Sequence, residues 1–223
     1  MFYYDSILLD FVSPSGDLVG ADQQLMLWLN FKGSSLTDQF WFGYSRLLTW
    51  IPMMVVVVGS FLCRCKGCKR NKVAFLLCTV LLLVVLDQLS SSIIKPLVGR
   101  LRPSHDPAVC ELLHYVGGYR GGRYGFVSGH AANIVGLATW LFLTFRNKIT
   151  RIIILAFALL MCYSRIYLGV HYPGDVICGA ALGATIAIFI ARYQRRHFPL
   201  SIINHPAYEM AAAFGLTLLA LVL

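Results

Sequence analysis

Six apolar stretches dominate the chain: residues 41–63, 73–94, 127–146, 149–168, 174–192 and 207–223. Each approaches the about 20 residues an α-helix needs to cross a hydrocarbon core, the last being the shortest. Inside a bilayer every backbone N–H and C=O must be satisfied within the protein, so such stretches have few alternatives to helix. The expected fold class is all-α, a polytopic membrane bundle of about six transmembrane helices. Charge agrees with this: 13% of residues are charged and 58% hydrophobic, against about 25% charged in soluble domains. No repeat or long linker divides the chain. Residues 1–40 read as an N-terminal interfacial segment, with a short helix at 22–31 (DQQLMLWLNF), and residues 41–223 as one transmembrane domain. The opening MFYYDSILLD has no basic region and carries Asp5 and Asp10, so no secretory signal is expected there.

The basic residues set the orientation. Arg64, Lys66, Lys69, Arg70 and Lys72 follow the first stretch, Arg146, Lys148 and Arg151 the third, and Arg192, Arg195 and Arg196 the fifth. These eleven of nineteen basic residues have no acidic residue among them, so their loops are expected on the cytoplasmic side. The N-terminal forty residues, the 95–126 loop and the 169–173 turn then face outward. Asp5, Asp10, Asp17, Asp22, Asp38, Asp106 and Glu111 fall on that side. Membrane topology accounts for the net charge of +9 better than nucleic-acid binding, and no nucleic-acid partner is expected.

Seven scattered cysteines do not suggest a disulfide framework. Cys63, Cys65 and Cys68 in CRCKGCK are one ligand short of a structural zinc site, and no metal is expected. They read as part of a basic juxtamembrane loop.

Three polar clusters, far apart in sequence, meet at the outer face. KPLVGRLRP supplies Lys95, Arg100 and Arg102; VSGHAAN supplies Ser128, Gly129 and His130; SRIYLGVHYPGD supplies Arg165, His171 and Asp175. Together they suit phosphoryl transfer, which needs cations around the equatorial oxygens, an in-line nucleophile and an acid for the leaving group. Lys95, Arg102 and Arg165 are the candidate cations, the arginine forks matching phosphate oxygens. Ser128 and Gly129 open a helix, where backbone N–H groups and the dipole favour an anion. Pro173 fits the first turn of the next helix, which places Asp175 in that turn and His171 just before it. Asp175 can reach back to an imidazole N–H, making His171 the candidate nucleophile. His130 is then the general acid, and later the base that activates water. Arg100, together with Arg120 and Arg123 of GGYRGGRYG, is a candidate headgroup contact. Asp87 reads as an interhelical polar contact.

The three clusters resemble, in order, the signature motifs of the type-2 phosphatidic acid phosphatase superfamily: Lys, six residues, Arg-Pro; Pro-Ser-Gly-His; and Ser-Arg, five residues, His, three residues, Asp. The resemblance covers about residues 73–192. Val127 stands where the family has proline, a departure that alters how the turn enters the helix while Ser-Gly-His is kept. The resemblance implies a phosphohistidine intermediate formed with no cofactor, and a membrane lipid phosphate or pyrophosphate as substrate. It implies a bacterial inner-membrane enzyme with its site facing the periplasm or exterior. Among small bacterial members, the arginine- and glycine-rich loop favours lipid A as substrate. Undecaprenyl pyrophosphate and phosphatidylglycerophosphate are the alternatives within the class. Phosphate transfer to another lipid, or phospholipid binding and transport without catalysis, are alternatives outside it.

Overall fold

The computed structural model describes residues 18–66, 68–202 and 207–223. The expectations for Asp5, Asp10, Asp17 and the start of the 1–40 segment lie outside the described residues. Helix α1 (Leu18–Leu29) realises the short helix expected at 22–31, beginning four residues earlier. Helix α2 (Ser35–Tyr44) starts where the Ser34 side chain accepts the Thr37 N–H.

The first expected span, 41–63, is not continuous. Helix α2 ends at Tyr44, a 3-10 turn covers Leu47–Trp50, and helix α3 runs Ile51–Arg64. Pro52 lacks an N–H to continue a helix from the preceding turn but is well suited to start a new one. The break leaves carbonyls at the end of α2 without helical partners. Thr49 Oγ1 donates to the Gly43 carbonyl (2.8 Å) and Trp50 Nε1 to that of Tyr44 (2.7 Å), which satisfies them.

Helix α4 (Lys69–Asp87) continues through a π-helical segment, Gln88–Ile94, into the one-turn helix α5 (Lys95–Val98). Gly99 ends it with φ +64°, a left-handed conformation that glycine adopts without a Cβ penalty. Helices α6 (Gly129–Thr144), α7 (Lys148–Tyr167), α8 (Pro173–His197) and α9 (Ala207–Val222) follow. Four units, Leu47–Arg64, Lys69–Val98, Lys148–Tyr167 and Pro173–His197, are long and apolar enough to cross a membrane. Helices α6 and α9 have 16 residues each, about 24 Å, short of the about 30 Å hydrocarbon core. The six expected spans thus resolve into four long ones and two short helices. Leu77, Val80, Leu81, Val84, Leu159 and Phe189 are exposed on the helices, as suits surfaces solvated by lipid.

Helices α6 and α8 approach most closely. A Cβ on Gly179 would stand 2.5 Å from the Ser128 carbonyl oxygen, and one on Gly183 would meet the Gly136 nitrogen at 2.8 Å. Small residues four apart let two backbones pack together in a membrane, where lipid supplies no hydrophobic drive. Leu82, Leu86, Ala132, Trp140 and Ala187 fill the core beside this seam. At the end of the bundle that carries the polar clusters, Met26 of α1 packs with Val109, Leu113, Ile166, Tyr172 and Val176. Asn30 fastens the same end: its Nδ2 donates to the Tyr167 carbonyl (2.6 Å) and its Oδ1 accepts the His114 N–H (2.7 Å). At the other end, two-residue strands β1 (Cys65–Lys66) and β2 (Ser201–Ile202) pair antiparallel.

Candidate active site

The fold gathers the three clusters where α5, the 99–128 loop and the first turns of α6 and α8 meet. Helix α8 begins with Pro173, and Asp175 in its first turn accepts the Tyr172 N–H through Oδ2 at 3.1 Å. That hydrogen bond places the carboxylate under the preceding turn. Asp175 Oδ2 lies 3.7 Å from His171 Nδ1, and both side chains are buried. The contact is ionic in length rather than a hydrogen bond, and Nδ1 has no hydrogen-bonded partner among the described residues. Burial, then the charges of Arg102, Arg165 and Lys95, lower the His171 pKa well below the usual histidine value, opposed by the Gly125 backbone. The imidazole is therefore neutral near pH 7, the form in which a nitrogen lone pair can attack.

Helix α6 starts at the same place. Ser128 is its N-cap, its Oγ accepting the Ala131 N–H at 3.4 Å, and its own N–H donates to the Asp175 carbonyl at 3.0 Å. The two helix starts are thereby tied together. Gly129 leaves room beside them: a Cβ there would lie 3.1 Å from Ser90 Oγ and 3.6 Å from Lys95 Nζ. The π-helical segment carries Ser90 and leads directly into Lys95, so it aims both at the start of α6. His130 is exposed, unlike His171, and the charges of Arg165, His171, Arg102 and Lys95 all act on it.

The cations differ in how they are held. Arg165 is 2% exposed, yet its partners are neutral: Ser45 Oγ at 3.0 Å and the Tyr119 hydroxyl at 3.3 Å, with Nε unpaired among the described residues. Arg102 donates Nε to the Tyr124 carbonyl at 3.0 Å, and its backbone N–H to the Arg123 carbonyl at 3.0 Å. Burial and the neighbouring Arg165 lower its pKa. Among the described residues, no carboxylate lies within ion-pair distance of Lys95, Arg102 or Arg165. Clustered, partly desolvated cations without a counter-ion make a strong electrostatic well for an anion.

Arg100 is arranged otherwise. Its Nη1 donates to Asp175 Oδ1 at 2.8 Å and its Nη2 to Asp22 Oδ2 at 2.7 Å. Arg120 lies over the Tyr115 ring, 4.7 Å from its centre, and Arg123 over Tyr124 at 5.6 Å. Both side chains are exposed on the 99–128 loop, where the Arg123 carbonyl accepts the Arg102 N–H. Ser45, Tyr119 and Asp22 belong to the site's surroundings but carry no signal in the sequence. Ser45 merely ends a helix, Tyr119 sits in a glycine-rich loop, and Asp22 is one of several acids in the N-terminal forty residues.

Comparison with known proteins identifies the family of the chain. Residues 75–199 match the PAP2 superfamily. The chain is 40% identical over 78% of its length to the lipid A 4'-phosphatase of Porphyromonas gingivalis, covering 72% of that protein. It is 37% identical to the lipid A 4'-phosphatase of Bacteroides thetaiotaomicron, over 73% of this chain and 72% of the relative. Two solved structures share the fold. Aquifex aeolicus LpxE aligns with a TM-score of 0.56 at 23% identity, over 76% of this chain and 94% of that one. A Bacillus subtilis PAP2-type phosphatidylglycerolphosphate phosphatase aligns with a TM-score of 0.59 at 18% identity, over 87% and 94%. With a family match over more than half its length and apolar helices long enough to span a bilayer, this chain is an integral membrane protein of the PAP2 superfamily.

Proposed function

We propose that the protein is a phosphatase that removes a phosphate monoester from lipid A through a phosphohistidine intermediate. The observation that carries this reading is the pairing of three cations that have no carboxylate partner among the described residues with one buried, neutral histidine. Lys95, Arg102, Arg165 and the N–H groups that open α6 hold the phosphoryl oxygens. His171 attacks phosphorus through Nε2, since Nδ1 faces Asp175. The P–O bond to the sugar breaks as the P–N bond forms, and His130 donates its proton to the leaving oxygen. His130 then takes a proton from water, which attacks the phosphohistidine, breaks the P–N bond and releases inorganic phosphate.

The substrate assignment is supported by the two relatives named lipid A 4'-phosphatases, both at 37% identity or more. An apolar cavity of about 460 Å³ among the helices, lined by Trp50, Met53, Phe61, Leu83 and Phe157, suits acyl chains. Residues 1–40 act as an interfacial segment and 41–223 as the catalytic membrane domain. The basic loops lie in the cytoplasm and the site faces the periplasm across the inner membrane. The test is phosphate release by purified protein from lipid A, undecaprenyl pyrophosphate, phosphatidylglycerophosphate and phosphatidic acid. Fastest turnover of lipid A, with removal of its 4'-phosphate and no effect of EDTA, is expected. Preference for another lipid would reassign the substrate. A labelled second lipid in place of free phosphate would make the enzyme a transferase.

A further inference from the structure

A chain of charged contacts runs from the buried Asp175 out to helix α1, which precedes the family-matched residues 75–199. Asp22 of α1 uses both oxygens: Oδ1 accepts the Gly174 N–H at 2.8 Å, in the first turn of α8, and Oδ2 accepts Arg100 Nη2 at 2.7 Å. Arg100 passes its other terminal nitrogen to Asp175 Oδ1 at 2.8 Å and lies over the Tyr172 ring, 4.3 Å from its centre. Tyr172 in turn donates its hydroxyl to Asp106 at 2.6 Å, and Gln23 of α1 donates to the same carboxylate at 3.3 Å. Helix α1 therefore grips the start of α8 from two sides.

Three physical consequences follow. A guanidinium whose two terminal nitrogens each donate to a carboxylate has its charge already compensated, which weakens it as a partner for a phosphate. A fully buried carboxylate needs ionic and hydrogen-bonded partners to stay in place. And Asp175 is fixed through both oxygens: if Oδ1 loses Arg100, the Tyr172 N–H on Oδ2 is left to hold the carboxylate's orientation toward His171 by itself. We infer that Arg100, clamped by Asp22, is a positioning residue that holds Asp175 charged and aimed at His171, so that seating of α1 is part of building the nucleophile. This rests on the phosphatase reading above. The competing role, a ligand for the lipid headgroup, makes different demands on the same residues.

The experiment uses the full chain in detergent micelles and two substrates, lipid A and p-nitrophenyl phosphate, which has neither sugar nor acyl chain. Arg100→Ala, Arg100→Lys, Asp22→Asn and the Arg100→Ala/Asp22→Asn double variant are compared with the wild type, with folding followed by thermal unfolding. Loss of an aiming, charge-assisted contact predicts that Arg100→Ala lowers kcat roughly 10- to 100-fold. The factor is the same on both substrates and KM is nearly unchanged. Asp22→Asn gives a smaller loss of the same kind, and the double variant is no worse than Arg100→Ala. Arg100→Lys recovers part of the activity, since one ammonium cannot brace two carboxylates in a fixed plane. A loss confined to lipid A and expressed in KM would make Arg100 a headgroup ligand and overturn the proposal. So would additive losses, or a folded Arg100→Ala with full kcat. Should Arg100→Ala fail to fold, the near-isosteric Asp22→Asn and charge-preserving Arg100→Lys decide by the same criteria. A wild type that releases phosphate from neither substrate would sink the phosphatase reading instead.

Discussion

His171 Nδ1 stands 3.7 Å from Asp175 Oδ2, near enough for ionic attraction and too far for a hydrogen bond. In the resting site the imidazole is neutral and gains little from that carboxylate. Once Nε2 bonds phosphorus the ring becomes cationic, and the same contact strengthens and can shorten. An interaction worth more in the transition state than in the ground state is one that accelerates a reaction. Contacts of this kind are often long before substrate binds.

Removal of the nucleophile should therefore be far costlier than removal of its partner. His171→Gln is expected to lower phosphate release by about 1,000-fold or more, and Asp175→Asn by less, because the attacking nitrogen survives. Labelled phosphate retained on the protein after an alkaline quench, present in the wild type and absent in His171→Gln, identifies the intermediate. Equal label in both would place the nucleophile elsewhere.

The lowered pKa of His171 predicts the acid side of the pH profile. Free histidine is half-protonated near pH 6.5, so an ordinary imidazole loses its lone pair below that value. His171 keeps it further down, and the acid limb of kcat/KM should lie below pH 6.5. Stability moves the other way. Below about pH 6.5 the unfolded chain binds a proton that folded His171 refuses. This group's contribution is present above that pH and is lost as the pH falls towards its folded pKa. The unfolding temperature of the detergent-solubilised wild type should drop more between pH 7 and 5 than that of His171→Gln.

Arg165 carries a sharper prediction than the other cations, because it is buried on neutral partners. Arg165→Ala should lower kcat/KM by roughly 100-fold or more, in line with loss of a desolvated charge aimed at developing negative charge. Arg165→Lys should fail to restore it, since an ammonium cannot keep both Ser45 and Tyr119 while facing phosphate. Vanadate should raise the unfolding temperature of the wild type and do so less in either variant. Full recovery in the lysine variant would mean that charge alone matters there.

Gly179 links helix packing to catalysis. A methyl at this position meets the Ser128 carbonyl at 2.5 Å, a contact that backbone atoms must move to relieve. Gly179→Ala should push the start of α6 away from α8. It should reduce activity at least several-fold and stability by about 1–3 kcal/mol, the usual cost of overpacking. Thermal unfolding and phosphate release measured together check it. Unchanged values for both would show that the seam gives way freely.

Much of the candidate site was legible because its chemistry is local. Lys95, Arg102, Ser128, His130, Arg165, His171 and Asp175 stand out as ionisable or helix-opening residues among apolar ones, at spacings a single turn or helix end explains. Helix α8 illustrates this: Pro173 and Asp175 alone place its start. Arg100 was different. Beside Arg102 in sequence it looks equivalent, yet one faces two carboxylates and the other none, and nothing within five residues separates them.

Apolar lengths and basic loops determined by themselves that this chain forms a membrane bundle and which of its ends carries the polar clusters, because hydrophobicity and helix capping act over a few residues. Tertiary structure alone decided that α2 and α3 are separate helices, that Ser45 and Tyr119 hold Arg165, and that Asp22 of α1 braces Arg100 against Asp175. Those pairings join residues 46 to 120 positions apart. A side chain's partner at that range is set by how helices pack, and the Gly136, Gly179 and Gly183 seam that governs the packing reads in sequence only as small residues.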